Sequence, residues 1–459
     1  AEFDEARGGT LTRLIECGAF DAKAGSTLFL GETEAFPNGF AVLGLGEEKD
    51  FSRKVFAECA AKAARAFAWA ESQAYTVQEW LPPKTSGKSS ARLFSTAVLN
   101  ALTPRFTLKT EHDDGIRTKR IFWIDDLVTD KLVQGLDEGV VTAEAMSISR
   151  DLADLPGNVC TPAYLAEAVQ NAAAGMTTVE VEVLDEHQIE ELGMGAFLSV
   201  AKGSTVPPRF IAIRYRGTNA ALPPVAFVGK GITFDTGGIS LKPAANMADM
   251  TYDMSGAAVV IGTVMAAARA KLPVNLLGVV AACENLPSGS AAKPGDVVTS
   301  LSGKTIEILN TDCEGRMILA DALTWTARQK PELIIDAATL TGACCVALGA
   351  PYSGLFTSDD ALAYDLIKAG RDSLDDVWCL PVGAEYAKLM KTPAADIANQ
   401  ATVRDGGASS AAAFLSVFAE DVRWAHLDIA ATANTSGRDR HSTGRPVPML
   451  MRFLLKKMR

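Results

Sequence analysis

Residues 228–243 read VGKGITFDTGGISLKP, in which an apolar run passes into a loop of glycines, lysines and one aspartate. Strands buried on both faces of a parallel sheet are continuously apolar, because helices cover both sides. Ligands of open α/β sheets bind at the carboxyl ends of such strands. The segment therefore predicts a central strand at 225–228 that leads into a ligand-binding loop.

Similar apolar runs recur on both sides of this segment and alternate with helical patterns. The other predicted strands are at 179–184, 210–215, 276–282, 305–309, 333–337 and 426–429. Such alternation is typical of an α/β domain in which helices cover both faces of the sheet. We therefore predict a larger three-layer α/β domain with a central, mostly parallel sheet.

The N-terminal third has a different pattern and predicts a small α/β domain. Its predicted elements are strands at 27–30 and 40–43 with a turn at 37–39, a helix at about 51–81, a helix at 91–102 and a strand at 118–124. A long helical pattern then ends at Pro156-Gly157-Asn158. We expect an N-terminal α/β domain at 1–128, a linker helix at 129–155 and the larger domain at 156–459.

The composition disfavours two kinds of partner. The chain has 459 residues, of which 48% are apolar and 22% are charged, as in ordinary globular proteins. Its formal net charge of −11 repels phosphate backbones and anionic lipids, so neither nucleic acid nor a membrane surface is an expected partner. The apolar run 256–268 is shorter than the roughly 18 to 20 residues that cross a bilayer, and it predicts a buried helix instead.

The cysteines and the start of the sequence favour a cytoplasmic location. The eight cysteines are scattered and form no CxxC pair, so we expect reduced thiols. No basic segment followed by an apolar one stands at the beginning, and we therefore expect no secretory signal.

Common nucleotide and nucleophile motifs are incomplete in this sequence. The GK[ST] triplets at 87–89 and 303–305 lack the glycine that a phosphate-binding loop has five residues earlier. GxSxG and HExxH are missing, and only four histidines are available. A site built on histidine is therefore disfavoured.

Four acidic residues at the ends of predicted elements suggest a metal site: Asp235, Asp253, Asp312 and Glu314. On an extended segment Asp312 and Glu314 point to the same side, roughly 6 to 7 Å apart. Carboxylates this close repel each other unless protons or cations offset their charge. Two divalent ions about 3.5 to 4 Å apart would balance four carboxylates. Acids at helix N-termini also suit the helix dipole, so a purely structural role stays open.

Three basic residues near these acids have separate expected roles. An ammonium group beside two dications is unfavourable, so we expect Lys230 to lose its proton and to act as a nitrogen ligand. Lys242 and Arg316 can instead remain charged and stabilise an oxyanion or a small anion.

Three segments closely resemble signature regions of the cytosolic leucine aminopeptidase family. They are the segment at 228–243, YDMSG at 252–256 and NTDCEGRMILADAL at 310–323. The similarity covers nearly everything after about Ser149, whereas the N-terminal third is similar only in outline. The chain departs from the family pattern at Thr236, Ser255 and Cys313, where the family has Ser, Gly and Ala.

The resemblance implies a homohexameric metalloaminopeptidase that removes N-terminal residues, often leucine, from peptides with a free N-terminus. It implies two divalent ions, Zn²⁺, Mn²⁺ or Co²⁺, while oxygen-rich ligation also suits Mg²⁺. The implied metal ligands are Lys230, Asp235, Asp253, Asp312 and Glu314. The implied catalytic groups are Lys242, at the scissile carbonyl, and Arg316, which would hold a bicarbonate as general base. The implied substrate contacts are Met250, Asn310, Thr339, Leu340 and Gly342.

Two other functions stay open on the sequence. Some members of the family also bind DNA, which would require a local basic face on this acidic chain. Another two-metal hydrolase could act on phosphoesters, and such an enzyme would not require a free N-terminus.

Overall fold

The computed structural model describes residues 9–31, 40–76, 82, 85–111, 114–125, 127–219, 221–403 and 405–458. The chain forms two compact units, Ala1–Ala143 and Glu144–Arg459. The helix Asp130–Ala153 contains the point of division, within the segment expected to be a linker helix. The predicted boundaries at 128 and 155 remain a prediction, and the predicted turn at 37–39 lies outside the described residues.

The first unit is a small α/β unit with two separate strand pairs. Its helices are α1 (Thr10–Glu16), α2 (Arg53–Ala66), α3 (Gly87–Leu102) and the first part of α4 (Asp130–Ala153), with a 3-10 turn at Glu48–Asp50. Its strands are β1 (Thr27–Leu30), β2 (Phe40–Leu43), β3 (Ser72–Thr76) and β4 (Arg120–Ile124). The β1–β2 pair is antiparallel and the β3–β4 pair is parallel.

The single helix predicted at 51–81 is wrong, because α2 ends at Ala66 and β3 follows. The Gln73 amide nitrogen donates to the carbonyl oxygens of Ala64 (3.0 Å) and Phe67 (2.9 Å). These bonds satisfy carbonyls at the end of the helix from a residue of the next strand. The alanine-rich composition continues past this point, so helix propensity alone does not show the break.

The second unit carries all the candidate site residues. Its helices after α4 are α5 (Pro162–Ala173), α6 (Glu186–Glu191), α7 (Gly195–Ala201), α8 (Ser255–Arg269), α9 (Glu314–Arg328), α10 (Gly342–Leu348), α11 (Asp360–Ser373), α12 (Ala384–Lys388), α13 (Gly407–Ser416) and α14 (Val447–Lys457). A 3-10 helix at Met247–Met254 precedes α8. Its strands are β5 (Val179–Leu184), β6 (Arg209–Arg216), β7 (Val225–Asp235), β8 (Asn275–Asn285), β9 (Val297–Thr299), β10 (Thr305–Glu307), β11 (Leu333–Ala338), β12 (Ser353–Phe356), β13 (Val377–Cys379), β14 (Ile397–Ala398), β15 (Trp424–Asp428), β16 (Asn434–Thr435) and β17 (His441–Ser442).

The central sheet has eight strands in the order β13-β12-β15-β11-β7-β8-β6-β5. Strands β15, β11, β7 and β8 are parallel to their neighbours in this central group. Antiparallel pairs flank the group at β12–β15, β8–β6 and β6–β5. The predicted α/β class is confirmed, although β10 lies outside this sheet, in a small sheet with β9 and β14.

Helices α8 and α9 cover opposite faces of the parallel strands. Val228 of β7 and Val279 of β8 belong to the same core cluster as Leu319 of α9. On the other face, the backbone of Gly278 approaches the Val260 and Val264 side chains of α8. Residues alternate between the two faces along a strand, so both sets of apolar side chains are buried.

Residues Met247–Arg269 are long and apolar enough to cross a membrane, but 89% of the most apolar 18-residue window is buried inside the protein. The run that was predicted to be a buried helix is buried from Ser255 to Ala268. The apolar character of this helix is therefore explained by its burial in the core of the second unit.

Two glycines bring the start of α8 against the strand that carries Lys230. A Cβ atom on Gly229 would lie 2.6 Å from the Gly256 carbonyl oxygen and 2.7 Å from Ala257 Cα. A Cβ atom on Gly256 would lie 2.9 Å from the backbone nitrogen of Lys230. Both neighbours are backbone atoms that cannot rotate away, so only glycine permits this helix–strand distance.

We predict that Gly229→Ala lowers the free energy of unfolding by about 1–3 kcal/mol, because the added methyl group forces α8 away from β7. Urea unfolding followed by circular dichroism measures the change. The control is Gly289→Ala, since a Cβ atom there meets nothing within 4 Å. The control should stay within about 0.5 kcal/mol of the parent, and equal stability of both variants would contradict the packing argument.

Candidate active site

The predicted acids and lysines come together at the carboxyl end of the parallel strands. Asp235 ends β7, and Asp253 lies in the 3-10 helix that leads into α8. Asp312 lies in the loop before α9, and Glu314 is the first residue of α9. One carboxylate oxygen from each of Asp235, Asp312 and Glu314 lies within 4.8 Å of the others.

Lys230 lies at the centre of this group and is almost completely buried. Its Nζ lies 2.7 Å from Glu314 Oε1 and 2.9 Å from Asp253 Oδ1, and it donates to the Thr339 carbonyl oxygen at 2.9 Å. The side chain thereby connects three segments that are distant in sequence: the 3-10 helix of Asp253, the start of α9 and the loop of Thr339. The backbone of Gly315 leaves room for it, since a Cβ there would lie 2.8 Å from Lys230 Nζ.

The carboxylates around Lys230 oppose the loss of its proton when protein groups alone are considered, and the expected neutral form with bound cations stays a prediction. Burial favours the neutral amine, but Asp253, Glu314 and Asp235 outweigh it and raise the pKa of Lys230. Among protein groups alone, the lysine is therefore an ammonium ion. A role as a nitrogen ligand requires that bound cations displace this proton.

Lys242 pairs with the other two acids of the group. Its Nζ lies 2.8 Å from Asp235 Oδ2 and 2.5 Å from Asp312 Oδ1. Burial lowers the pKa of Lys242, but the charges of Asp235 and Glu314 dominate and raise it. The predicted fixed positive charge at Lys242 therefore agrees with its surroundings.

The acids outnumber the lysines, and the resulting negative field suits cations. Burial, followed by the charge of Asp235, raises the pKa of Glu314 to about 8. Burial also raises the pKa of Asp253. The charge of Lys230 opposes this increase and the charge of Asp235 adds to it, so that the pKa of Asp253 is about 6. Asp253 Oδ2 and Glu314 Oε2 are buried without a hydrogen-bond partner among the described residues. Unpartnered buried carboxylate oxygens fit divalent cations, which bind carboxylate oxygen and remove the cost of like charges.

Arg316 is held beside this group by a loop that sequence reasoning missed. Its Nη1 donates to the Asn399 carbonyl oxygen at 2.7 Å, while its Nε has no partner in the described part of the chain. The Asn399 side chain in turn accepts from Leu309 N and donates to the Asn310 carbonyl oxygen. Asn399 follows the two-residue strand β14, which gives no recognisable sequence pattern.

Asn310 has a structural role in this loop. Its side-chain Oδ1 accepts a hydrogen bond from the backbone nitrogen of Asp312 at 2.8 Å. A short Asx turn of this kind fixes the direction of the chain into Asp312. The predicted substrate contact by Asn310 remains a prediction.

The loop after β11 joins the site through Thr339. Its hydroxyl donates to Asp253 Oδ1 at 2.7 Å, and its carbonyl accepts from Lys230. The buried Asp428, at the end of β15, fixes the rest of the loop by accepting from Leu340 N (3.3 Å) and Thr341 Oγ1 (2.6 Å). Asp428 lies within a predicted strand, but no sequence signal connected it to this loop.

Two predicted substrate contacts are adjacent to these groups along the chain. Met250 is half-buried in the 3-10 helix that carries Asp253. Gly342 is exposed at the start of α10, shortly after Thr339. Their contact with a substrate remains a prediction.

The residues that depart from the family pattern fit their surroundings. Thr236 donates its hydroxyl to the Asn285 carbonyl oxygen, and Ser255 donates to the Tyr252 carbonyl oxygen. Burial raises the pKa of the Cys313 thiol, which favours the protonated, less reactive form. All eight cysteines are free, as expected.

Clustered carboxylates with two lysines at the carboxyl end of a parallel sheet are compatible with the class of metal-dependent hydrolases. Residues 147–451 match the model of the cytosol aminopeptidase family, catalytic domain, and residues 1–119 match the N-terminal domain of the same family. The chain belongs to the cytosol aminopeptidase family and is a metal-dependent aminopeptidase. The N-terminal third, in which only an outline resemblance was visible, thus matches the family too.

Relatives and solved structures agree with this assignment. Proteins described as "probable cytosol aminopeptidase" from Paraburkholderia phymatum and Burkholderia pseudomallei are each 46% identical over 99% of this chain and 91% of theirs. The bottromycin maturation enzyme BotP in complex with Mn has a TM-score of 0.88 and 30% identity, covering 97% of this chain and 96% of its own. A tomato leucine aminopeptidase mutant has a TM-score of 0.87 and 32% identity, covering 99% and 88%.

We predict that Mn²⁺ raises the thermal unfolding temperature of chelator-treated protein, because ions that bind only the folded state stabilise it by about 2.7 kcal/mol at a hundred times Kd. Asp312→Ala should greatly reduce this shift. Asp296→Ala is a matched control, since the two side chains are 34% and 35% exposed. Equal shifts in all three proteins would contradict a metal site at Asp312.

Proposed function

We propose that this protein is a two-metal leucyl-type aminopeptidase of the cytoplasm. The observation that carries the proposal is that the side chains at the metal-ligand positions of the family pattern lie in one cluster, which is buried except for the partly exposed Asp312. In the proposed assignment, the tighter site uses Lys230, Asp235, Asp253 and Glu314. The more exchangeable site uses Asp235, Asp312 and Glu314, with the Asp312 carbonyl as a further donor.

The proposed ions are Zn²⁺, Mn²⁺ or Co²⁺, with Mg²⁺ also compatible with oxygen donors. When bound, such ions supply Lewis acidity and a nucleophilic water at neutral pH. The Mn²⁺ complex of the similar enzyme BotP supports manganese as the first ion to test.

The basic residues have complementary roles in the proposed reaction. Lys242 keeps its charge between Asp235 and Asp312, and it can stabilise the oxyanion that develops on the scissile carbonyl. Arg316 donates one hydrogen bond through Nη1 to the Asn399 carbonyl oxygen. Its Nε has no partner among the described residues and could donate to an anion. We propose that this anion is bicarbonate and that it accepts the proton of the attacking water.

The substrate proposal follows from the proposed ions. The free α-amino group of a substrate has a basic lone pair that could coordinate one of the ions held by these carboxylates, whereas the nitrogen of an acetylated N-terminus has no such lone pair. The proposed contacts with the first residue and its backbone are Met250, Asn310, Thr339, Leu340 and Gly342. A homohexamer is proposed on the family resemblance.

We predict that the protein hydrolyses a leucine chromogenic amide, loses this activity to a chelator and regains it with Mn²⁺. The N-acetylated amide should not be cleaved, because the free amine is required. Release of the chromophore is followed by absorbance. Activity that no metal restores, or equal cleavage of the blocked substrate, would overturn the proposal, and cleavage of a phosphoester instead would indicate another two-metal hydrolase.

We predict that Glu314→Ala reduces kcat at least about a hundredfold, because the carboxylate assigned to both proposed metal sites is lost. The protein should stay folded, because the substitution removes only one side chain and leaves a small cavity. Glu332→Ala is the control, since Glu332 is partly exposed and pairs with Lys457 away from the cluster. Steady-state kinetics and circular dichroism are compared for the three proteins. Full turnover in Glu314→Ala would contradict the bridging role.

A further inference from the structure

The side chain of Asn285, at the carboxyl end of β8, lies directly behind the candidate metal ligands. We infer that Asn285 is a positioning residue of the metal centre, whose amide orients Asp235 and the peptide that leads into Asp312. This inference rests on the proposed two-metal function. Neither the sequence motifs nor the family resemblance pointed to this residue.

The amide nitrogen of Asn285 bridges two acceptors from different loops. It donates to Asp235 Oδ1 at 2.8 Å and to the Thr311 carbonyl oxygen at 3.0 Å. A carboxylate and a carbonyl can only accept, so both N–H groups of the amide are used and its orientation is determined. The residue is 4% exposed, and water cannot easily replace these bonds.

These bonds determine which oxygen of Asp235 faces the cluster. Asp235 Oδ1 accepts from both Asn285 and the backbone nitrogen of Gly237, each at 2.8 Å. The other oxygen, Oδ2, points to Lys242 Nζ at 2.8 Å. Asn285 therefore holds one oxygen within the protein frame and leaves the other available to a cation.

The backbone of Asn285 strengthens the same arrangement. Its carbonyl oxygen accepts from Thr236 N at 3.0 Å and from Thr236 Oγ1 at 2.8 Å. Gly238, with φ +66°, approaches the side chain so closely that a Cβ would lie 2.8 Å from Asn285 Oδ1. Thr311 Oγ1 donates to the Gly237 carbonyl oxygen at 2.7 Å. The two loops that carry Asp235 and Asp312 are thus joined to each other and to β8.

An amide suits this position because it donates hydrogen bonds without adding charge. A carboxylate in its place would add to a cluster that already raises the pKa values of its own acids, and an apolar residue would leave Asp235 Oδ1 with one donor fewer. Loss of an outer partner of a metal ligand typically costs 10- to 100-fold in metal affinity.

The test compares Asn285→Leu with Asn275→Leu at the opposite end of the same strand. Asn275 is 7% exposed and also donates its amide to two carbonyl oxygens, those of Asn219 and Leu222. Chelator-treated proteins are titrated with Mn²⁺ by calorimetry, and their unfolding temperatures are measured in the presence of chelator. We expect Asn285→Leu to raise the Kd for Mn²⁺ by about 10- to 100-fold, while Asn275→Leu stays within about twofold of the parent.

Asn285→Ala is the second variant, in case the leucine side chain prevents folding, and it should show the same loss of affinity. A Kd within twofold of the parent in a folded Asn285 variant would overturn the inference. An equal loss of Mn²⁺ affinity in Asn275→Leu would also overturn the inference, because a general disturbance of β8 would then explain the result for Asn285. If the parent protein itself binds no Mn²⁺ and shows no metal-dependent peptidase activity, the proposed function fails, and this inference falls with it.

Discussion

The structure of the site depends on the repulsion between several carboxylates that lie close together in a largely buried cluster. Asp235, Asp253, Asp312 and Glu314 converge, and Lys230 and Lys242 are the cations that pair with them in the described part of the chain. Burial, reinforced by the remaining negative field, raises the pKa of Asp253 and Glu314, and the same field raises the pKa of the two lysines against the effect of burial. Divalent cations relieve this field more effectively than protons do, and metal binding is therefore coupled to proton release.

Carboxylates that repel each other stay together only if the surrounding backbone is rigid. In the second unit, close helix–strand packing and buried hydrogen bonds provide this rigidity. The close approach of Gly229 to α8 places Lys230 beside Asp253. Side chains that carry little or no chemistry of their own then determine the orientation of the loops. They are Asn285 behind Asp235, Asn399 behind the backbone of Leu309 and Asn310, and Asp428 behind the loop of Thr339. Most of these bonds end on backbone groups, whose positions the fold determines.

The two lysines show how similar residues take different roles in one electrostatic field. Lys230 is enclosed by Asp253, Glu314 and the Thr339 carbonyl, so its position is determined from three sides. Lys242 is more exposed and lies between Asp235 and Asp312. The difference in burial supports a ligand role for Lys230 and a charge-stabilising role for Lys242.

The sequence by itself determined the α/β class and six of the eight strands of the central sheet, and it pointed to the acids and lysines of the candidate site, because apolar runs and clustered charges are local patterns. It did not reveal β12 and β13, and it grouped 305–309 with the sheet, although β10 pairs with β9 and β14 instead. It misplaced the helix at 51–81, because Gln73 ends α2 through contacts that composition does not reveal. Only the tertiary structure decided that Lys230 is paired with Asp253 and Glu314, and that Asn285, Asn399 and Asp428 support the site. The physical reason is that these contacts join groups far apart in the chain, whose distances depend on how strands and helices pack and not on any local pattern.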